Sequence, residues 1–121
     1  MSTIAIKRIY EEPAKADGYR MLIDRLWPRG VKKERAAIEE WNKEIAPSVE
    51  LRKWFNHKAE NFKQFSERYE LELYAKPQDV ERLLALAQHQ KLTLLYAAKD
   101  EKINHALVLL NVLNKLKLNA K

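Results

Sequence analysis

The sequence predicts a small α/β domain with a largely parallel sheet flanked by helices. The continuous apolar run at residues 21–23 is typical of a strand buried on both faces, as in a parallel sheet. The predicted order β-β-(β)-α-α-α-β-α, in which a last strand follows a run of helices, is typical of this class. The length of 121 residues suits one domain over residues 1–121 with one core, and 2 glycines and 4 prolines leave little material for linkers.

Two strands open the chain. Isoleucine-rich residues 3–10 predict the first and residues 19–27 the second, with a turn-rich loop over 11–18 between them. Residues 28–35 predict a loop with room for one helical turn. Residues 36–46 are ambiguous, because Ile38, Trp41 and Ile45 recur at helical spacing whereas Trp41, Lys43 and Ile45 alternate as in a strand. We favour a short strand around 40–45 and leave the helix open.

Three helices, a strand and a last helix follow. Ser48 is a good N-cap for a helix over 49–55, and Pro77 begins a helix after one that covers about 59–74. Residues 91–98 predict the last strand. The apolar faces of the remaining helices are defined by Phe62, Phe65, Tyr69 and Leu73, by Val80, Leu83, Leu84 and Ala87, and, over residues 103–117, by Ile103, Ala106, Leu107, Leu110, Leu113 and Leu116.

Composition excludes several classes of site. The chain has no cysteine, so it has no disulfide, thiolate zinc site or cysteine nucleophile, and this absence fits a reducing compartment. With 2 glycines it has no glycine-rich phosphate loop, and its 3 scattered histidines make a poor metal set. We therefore predict no metal and no cofactor. The N-terminus does not resemble a signal peptide, and the most apolar stretch, 103–118, is too polar to span a bilayer, so no membrane partner is expected.

The charge distribution favours an anionic partner. The net charge is +6, with the excess at the two ends of the chain: +4 over residues 1–35, −1 over 36–76 and +3 over 77–121. Such a balance suits a nucleic acid, a nucleotide or a phosphorylated metabolite.

Polar residues follow the strands at the edge where ligands bind in open α/β sheets. If the strands are parallel, three loops meet there, and their arginine forks would hold a phosphate or carboxylate. The anion would be bound by Arg25, Arg29, Arg52 and Lys99. Asp24 or His57 would donate or accept protons, and Trp27 would form an apolar wall. The loops also carry Lys43, Ser48, Asn104 and His105.

Other interpretations stay open for the same residues. Asp24 and Arg25 could form structural ion pairs, Trp27 could belong to the core, and Ser48 could be an N-cap alone. The protein could instead be a nucleic-acid-binding or regulatory module with a continuous basic face, which makes nucleic acid a second candidate partner. It could also be a protein-interaction domain that uses the aromatic helix from Trp54 to Tyr69.

Five segments, which together cover nearly the whole chain, carry a resemblance to a known family: "IKRIYEEP", "DGYRMLIDRLWPRGVKKE", "APSVELRKWFNH", "FKQFSERYELEL" and "LTLLYAAKDEKINHALVLL". They resemble the DUF488 family in its YeaO-like branch. The resemblance implies a small single-domain bacterial cytoplasmic protein of α/β type. Its "GYR" motif adds Arg20 to the predicted site. Members of the wider family show a "CxE…CHR" pattern, and here Tyr96 and Asn104 replace the two cysteines, so thiol chemistry cannot apply.

Overall fold

The fold is a four-stranded, entirely parallel sheet with helices packed against it, as seen in a computed structural model that describes residues 3–119. The strands are β1 (Ile4–Arg8), β2 (Tyr19–Leu22), β3 (Glu40–Trp41) and β4 (Leu92–Tyr96), in the spatial order β1-β4-β2-β3. The helices are α1 (Lys33–Ala36), α2 (Val49–Phe55), α3 (Phe62–Tyr74), α4 (Pro77–His89) and α5 (His105–Asn119), with short 3-10 turns at Lys15–Asp17 and Ala59–Asn61. The predicted α/β class and parallel sheet are confirmed.

The bounds of two elements differ from the prediction because an asparagine side chain bonds to the backbone there. The ambiguous segment 36–46 forms a strand over only two residues. Asn42 ends it, because its side-chain oxygen accepts a hydrogen bond from Ile45 N at 3.1 Å and turns the chain. The last helix begins at His105, two residues later than predicted, because the side chain of Asn104 accepts from Leu107 N at 2.8 Å in the manner of an N-cap.

The two central strands are buried on both faces, as the apolar run at 21–23 predicts. Met21 on β2 packs into the main core beneath helices α2 to α5, and so does Ile23, which directly follows the strand. Leu22 points the other way, into a smaller cluster that includes Ile9 and Leu95. The alternation of side chains along a strand therefore divides one apolar run between two cores.

The aromatic side chains of α2 and α3 build the core. The Phe55 and Phe65 rings stack with centroids 4.3 Å apart, and Tyr69 is fully buried. The Tyr69 hydroxyl donates to Ile45 O at 2.7 Å, and burial raises its pKa well above the ordinary value. The segment proposed as an aromatic interaction surface thus has the rings of Phe55, Phe65 and Tyr69 inside the protein, with Trp54 and Phe62 half-buried.

Helix α5 packs with a slightly different face than predicted. Leu107 and Leu110 are only half-buried, whereas Leu109 and Val112 are completely buried beside Leu113. Over residues 3–119, none of the helices combines the length and apolar character needed to cross a bilayer.

Gly18 is needed for its conformation and for its lack of a side chain. It precedes β2 with φ +66°, and a Cβ there would lie 2.5 Å from Lys91 O. We expect Gly18→Ala to lower the free energy of unfolding by about 1–3 kcal/mol, measured by urea denaturation. Gly30→Ala is the matched control, since Gly30 has φ +77° but a Cβ would meet no described atom within 4 Å. Equal losses in the two variants would contradict the close contact.

Candidate functional site

A cleft of about 1030 Å³ lies at the carboxyl edge of the sheet. Residues that follow all four strands line it: Tyr10 after β1, residues 24–29 after β2, eight residues from the segment 46–57 after β3, and seven residues from the segment 97–105 after β4. The parallel arrangement is what brings these four segments to one edge. We call this feature the basic cleft.

The basic cleft gathers most of the residues that the sequence singles out. Three predicted ligand-binding residues, Arg20, Lys43 and Ser48, do not line it. The nine that do are Asp24, Arg25, Trp27, Arg29, Arg52, His57, Lys99, Asn104 and His105.

The positive charge of the basic cleft is mostly uncompensated. Five cationic side chains line it, and within residues 3–119 none of them comes within 4.0 Å of a carboxylate: Arg25, Arg29, Arg52, Lys53 and Lys99. Its two carboxylates, Asp24 and Asp100, are held by the protein. Asp100 accepts from Lys102 N and Ile103 N, which lowers its pKa. The cleft therefore presents an excess of cations to solvent.

Arg25 is the most firmly positioned of these cations. Its Nε donates to Pro47 O at 2.7 Å and its Nη2 to Ala46 O at 3.3 Å. These bonds connect the loop after β2 to the segment that enters α2. Because both acceptors are neutral carbonyls, the guanidinium charge remains available to an anion.

The Trp-Pro-Arg-Gly loop is rigid because its neighbours fix it at several points. The Trp27 indole N–H donates to Val31 O at 2.7 Å, and its ring meets Trp41 edge-on with centroids 5.2 Å apart. The Tyr10 hydroxyl donates to Arg29 O at 2.9 Å. Trp27 is thus both a wall of the cleft and part of the smaller core, which combines the two interpretations that the sequence leaves open.

Asp24 and His105 form a close pair at the inner end of the cleft. Asp24 Oδ2 accepts from Ala97 N at 3.1 Å. His105 Nε2 lies 2.9 Å from Ile23 O and 3.1 Å from Asp24 Oδ1. Both oxygens only accept, so a hydrogen on Nε2 faces the two of them, and among the described residues the buried Oδ1 has no hydrogen bond of its own. Across residues 3–119, no three His, Asp or Glu side chains are grouped to hold a metal ion.

Asn104 shapes the loop between β4 and α5. It is buried, and its Nδ2 donates to Asp100 O at 2.8 Å while its oxygen receives Leu107 N. Both ends of the amide are therefore occupied by the backbone. Asn104 positions the loop that carries the exposed side chain of Lys99.

Helix α2 contributes a basic face and the left-handed turn that follows it. Val49, Arg52 and Lys53 lie at positions i, i+3 and i+4, which share one helix face, and all three line the cleft. The helix ends with Asn56 and His57 both in left-handed conformation, at φ 47° and 56°. Asparagine and histidine are among the residues other than glycine that adopt this conformation most readily, so their side chains suit this turn. His57 is exposed at the cleft, and its ring contacts Phe55 at 5.9 Å between centroids.

The three predicted residues outside the cleft have structural partners. Arg20 is buried, with its guanidinium bound to Asp17, Ala36 O and Ala37 O. Lys43 lies over the Trp41 ring, 4.1 Å from its centroid.

Ser48 is engaged on two sides. It caps α2 by accepting from Leu51 N, and its hydroxyl donates to Glu72 Oε2 at 2.6 Å. Ser48 is therefore an N-cap, as one interpretation of the sequence has it, and it also links α2 to Glu72 on α3.

The predicted set of site residues leaves out several that line the cleft, among them Tyr10, Lys53 and Asp100. Lys53 could have been found, because it lies four residues after Val49 on the helix face that Arg52 also occupies. Tyr10 could have been found by extending the sheet-edge argument to β1. The exposed aliphatic side chains of Leu26 and Val49 carry no sequence signal that separates them from core residues.

Comparison with known proteins adds a family. Residues 3–121 match the family model DUF488-N3i, described as the inactive DUF488-N3 subclade. The chain is 50% identical over 113 residues to uncharacterized protein YeaO of Escherichia coli K12, covering 93% of this chain and 98% of the relative. It is 37% identical over 111 residues to uncharacterized proteins Mb3100c of Mycobacterium bovis and Rv3073c of Mycobacterium tuberculosis, covering 92% of this chain and 93% of each relative. No solved structure matches the chain.

Proposed function

Because the chain belongs to the DUF488-N3i family, the inactive DUF488-N3 subclade, we propose that it binds a small phosphorylated or nucleotide-like anion in the basic cleft without transforming it. The observation that carries this proposal is the set of five cleft-lining cations that have no carboxylate partner within residues 3–119. A concave site with convergent charges fits a small ligand better than it fits an extended strand of nucleic acid.

Binding without turnover is supported by what the polar residues already do. Asp24, predicted to handle protons, holds Ala97 N and faces His105. Tyr96 and Asn104 occupy the positions where the wider family resemblance places cysteines, and Asn104 has both ends of its amide bound to backbone. His57 is the exposed histidine of the cleft, and we assign it a hydrogen bond to the ligand.

The site around Arg25 would be completed by the four exposed cations Arg29, Arg52, Lys53 and Lys99. Arg25 is fixed before the ligand arrives, so its ordering adds little entropic cost to binding. The exposed side chains would order around the phosphate oxygens, and their contribution would weaken as salt rises.

The test is calorimetric titration with inorganic pyrophosphate at low and moderate salt. We expect the double variant Arg52→Ala/Lys53→Ala to lower the affinity about tenfold, because it removes two charges from the cleft face of α2. Lys32→Ala/Lys33→Ala is the matched control, since it removes the same charge from exposed residues outside the cleft.

The outcomes distinguish the candidate functions. A loss of affinity in Arg52→Ala/Lys53→Ala together with an unchanged affinity in the control supports binding in the cleft. Absence of pyrophosphate binding at low salt would reject the proposal. Equal losses in both double variants, together with tighter binding of oligonucleotides, would favour the basic nucleic-acid-binding module instead.

A further inference from the structure

Large apolar side chains remain exposed around the basic cleft. Leu26 is 65% exposed, and Tyr10 and Val49 are each 43% exposed, and all three line the cleft. Within the described residues, the two other large apolar side chains in this class, Leu71 and Tyr74, lie on α3 outside the cleft. Apolar groups gathered at a polar concave site indicate that the ligand has an apolar part.

The exposed apolar groups alternate with the cations on two segments of the cleft. On α2, Val49 shares a helix face with Arg52 and Lys53. On the loop after β2, Leu26 directly follows Arg25 in the sequence, and both residues line the cleft. Each segment therefore offers one aliphatic surface beside positive charge, which matches a ligand whose anionic and apolar parts are joined by a short link.

The size of the site also exceeds what a lone phosphate needs. Pockets of about 300–1000 Å³ enclose most of an organic ligand of ordinary size. The basic cleft, at about 1030 Å³, is slightly above that range.

We propose that the ligand is a nucleoside phosphate, whose phosphates contact the cleft cations and whose base packs against Leu26, Val49 and the Tyr10 ring. This inference rests on the proposed function and specifies its ligand. A phosphosugar or a bare phosphate would satisfy the cations but would leave the three apolar side chains in water. A nucleobase has flat apolar faces and polar edges, which suits contact with such side chains in an open cleft.

The experiment compares nucleoside diphosphates with inorganic pyrophosphate in the full chain. Pyrophosphate carries at least as much negative charge as ADP or UDP, so charge alone gives the nucleotides no advantage. We expect ADP or UDP to bind at least about tenfold more tightly than pyrophosphate. We expect Leu26→Ser/Val49→Ser to lower the affinity for the preferred nucleotide about tenfold and to leave that for pyrophosphate unchanged.

Leu71→Ser is the matched control, since Leu71 is 69% exposed but lies outside the cleft. It should change neither affinity. Two results would show that the ligand is not a nucleoside phosphate, although the anion site would remain supported. In the first, pyrophosphate binds and neither nucleotide binds more tightly. In the second, the Leu26→Ser/Val49→Ser variant retains the full affinity for the nucleotide. If neither pyrophosphate nor nucleotide binds, the proposed function itself fails.

Discussion

Replacing Arg20 by methionine is expected to lower the free energy of unfolding by about 3–5 kcal/mol, because it breaks a buried ion pair from one side. The Arg20 guanidinium donates to Asp17 Oδ2 at 2.5 Å, to Ala36 O at 2.7 Å and to Ala37 O at 3.0 Å. Methionine fills a similar volume but leaves these acceptors with one donor fewer each. Urea denaturation followed by circular dichroism measures the loss.

Arg35→Met is the matched control for this prediction. Arg35 pairs with Glu12 at 2.8 Å, but both side chains are well over half exposed. An exposed pair contributes at most about 1 kcal/mol. Similar losses in the two variants would contradict the structural role of Arg20. The affinity of folded Arg20→Met for pyrophosphate should match that of the parent protein, because Arg20 does not line the cleft.

Acid sensitivity gives an independent measure of the same cluster. Burial alone would raise the pKa of Asp17, but hydrogen bonds from Ala14 N, Lys7 and Arg20 outweigh it and bring the pKa below its ordinary value of 3.8. A carboxyl group whose pKa is lower in the folded state stabilises the fold above its unfolded pKa and loses that contribution as the pH falls through the folded one. Stability should therefore decline below about pH 4, and less steeply in Arg20→Met.

The fold could be predicted because its signals are local. The apolar run 21–23 indicates a strand buried on two faces, and Ser48 caps a helix that has the predicted bounds. The end of β3 could not be predicted, since it depends on whether the Asn42 side chain bonds to Ile45 N. The face of α5 that enters the core likewise depends on how α5 packs against α3 and β1, which are distant in the sequence.

The site could be predicted as a set of loops but not residue by residue. Arg20 and Arg25 lie five residues apart in one motif and are chemically identical in the sequence. Only the structure shows that their roles differ. Arg20 on β2 binds Asp17 in the turn before the strand, whereas Arg25 lies after the strand and lines the cleft. Long-range contacts of this kind leave no pattern in a single sequence.

Arg25→Ala is expected to weaken pyrophosphate binding about 100-fold, the largest effect on affinity of any single substitution in the cleft. Two losses combine in this variant. It removes a charge from the site, and it frees the carbonyls of Ala46 and Pro47, to which Arg25 donates at 3.3 and 2.7 Å. The second loss loosens the segment that enters α2 and its basic face.

Arg25→Lys separates the two contributions. Lysine keeps the positive charge but lacks the planar fork that reaches both carbonyls. We expect it to recover about tenfold of the lost affinity at low salt and little of it at moderate salt, where a mobile charge is screened. Urea denaturation of the same variants should show that both are less stable than the parent protein by about 1–3 kcal/mol. If Arg25→Ala loses this stability but binds pyrophosphate as tightly as the parent protein, Arg25 is architecture alone, and the anion is held by the exposed cations around it.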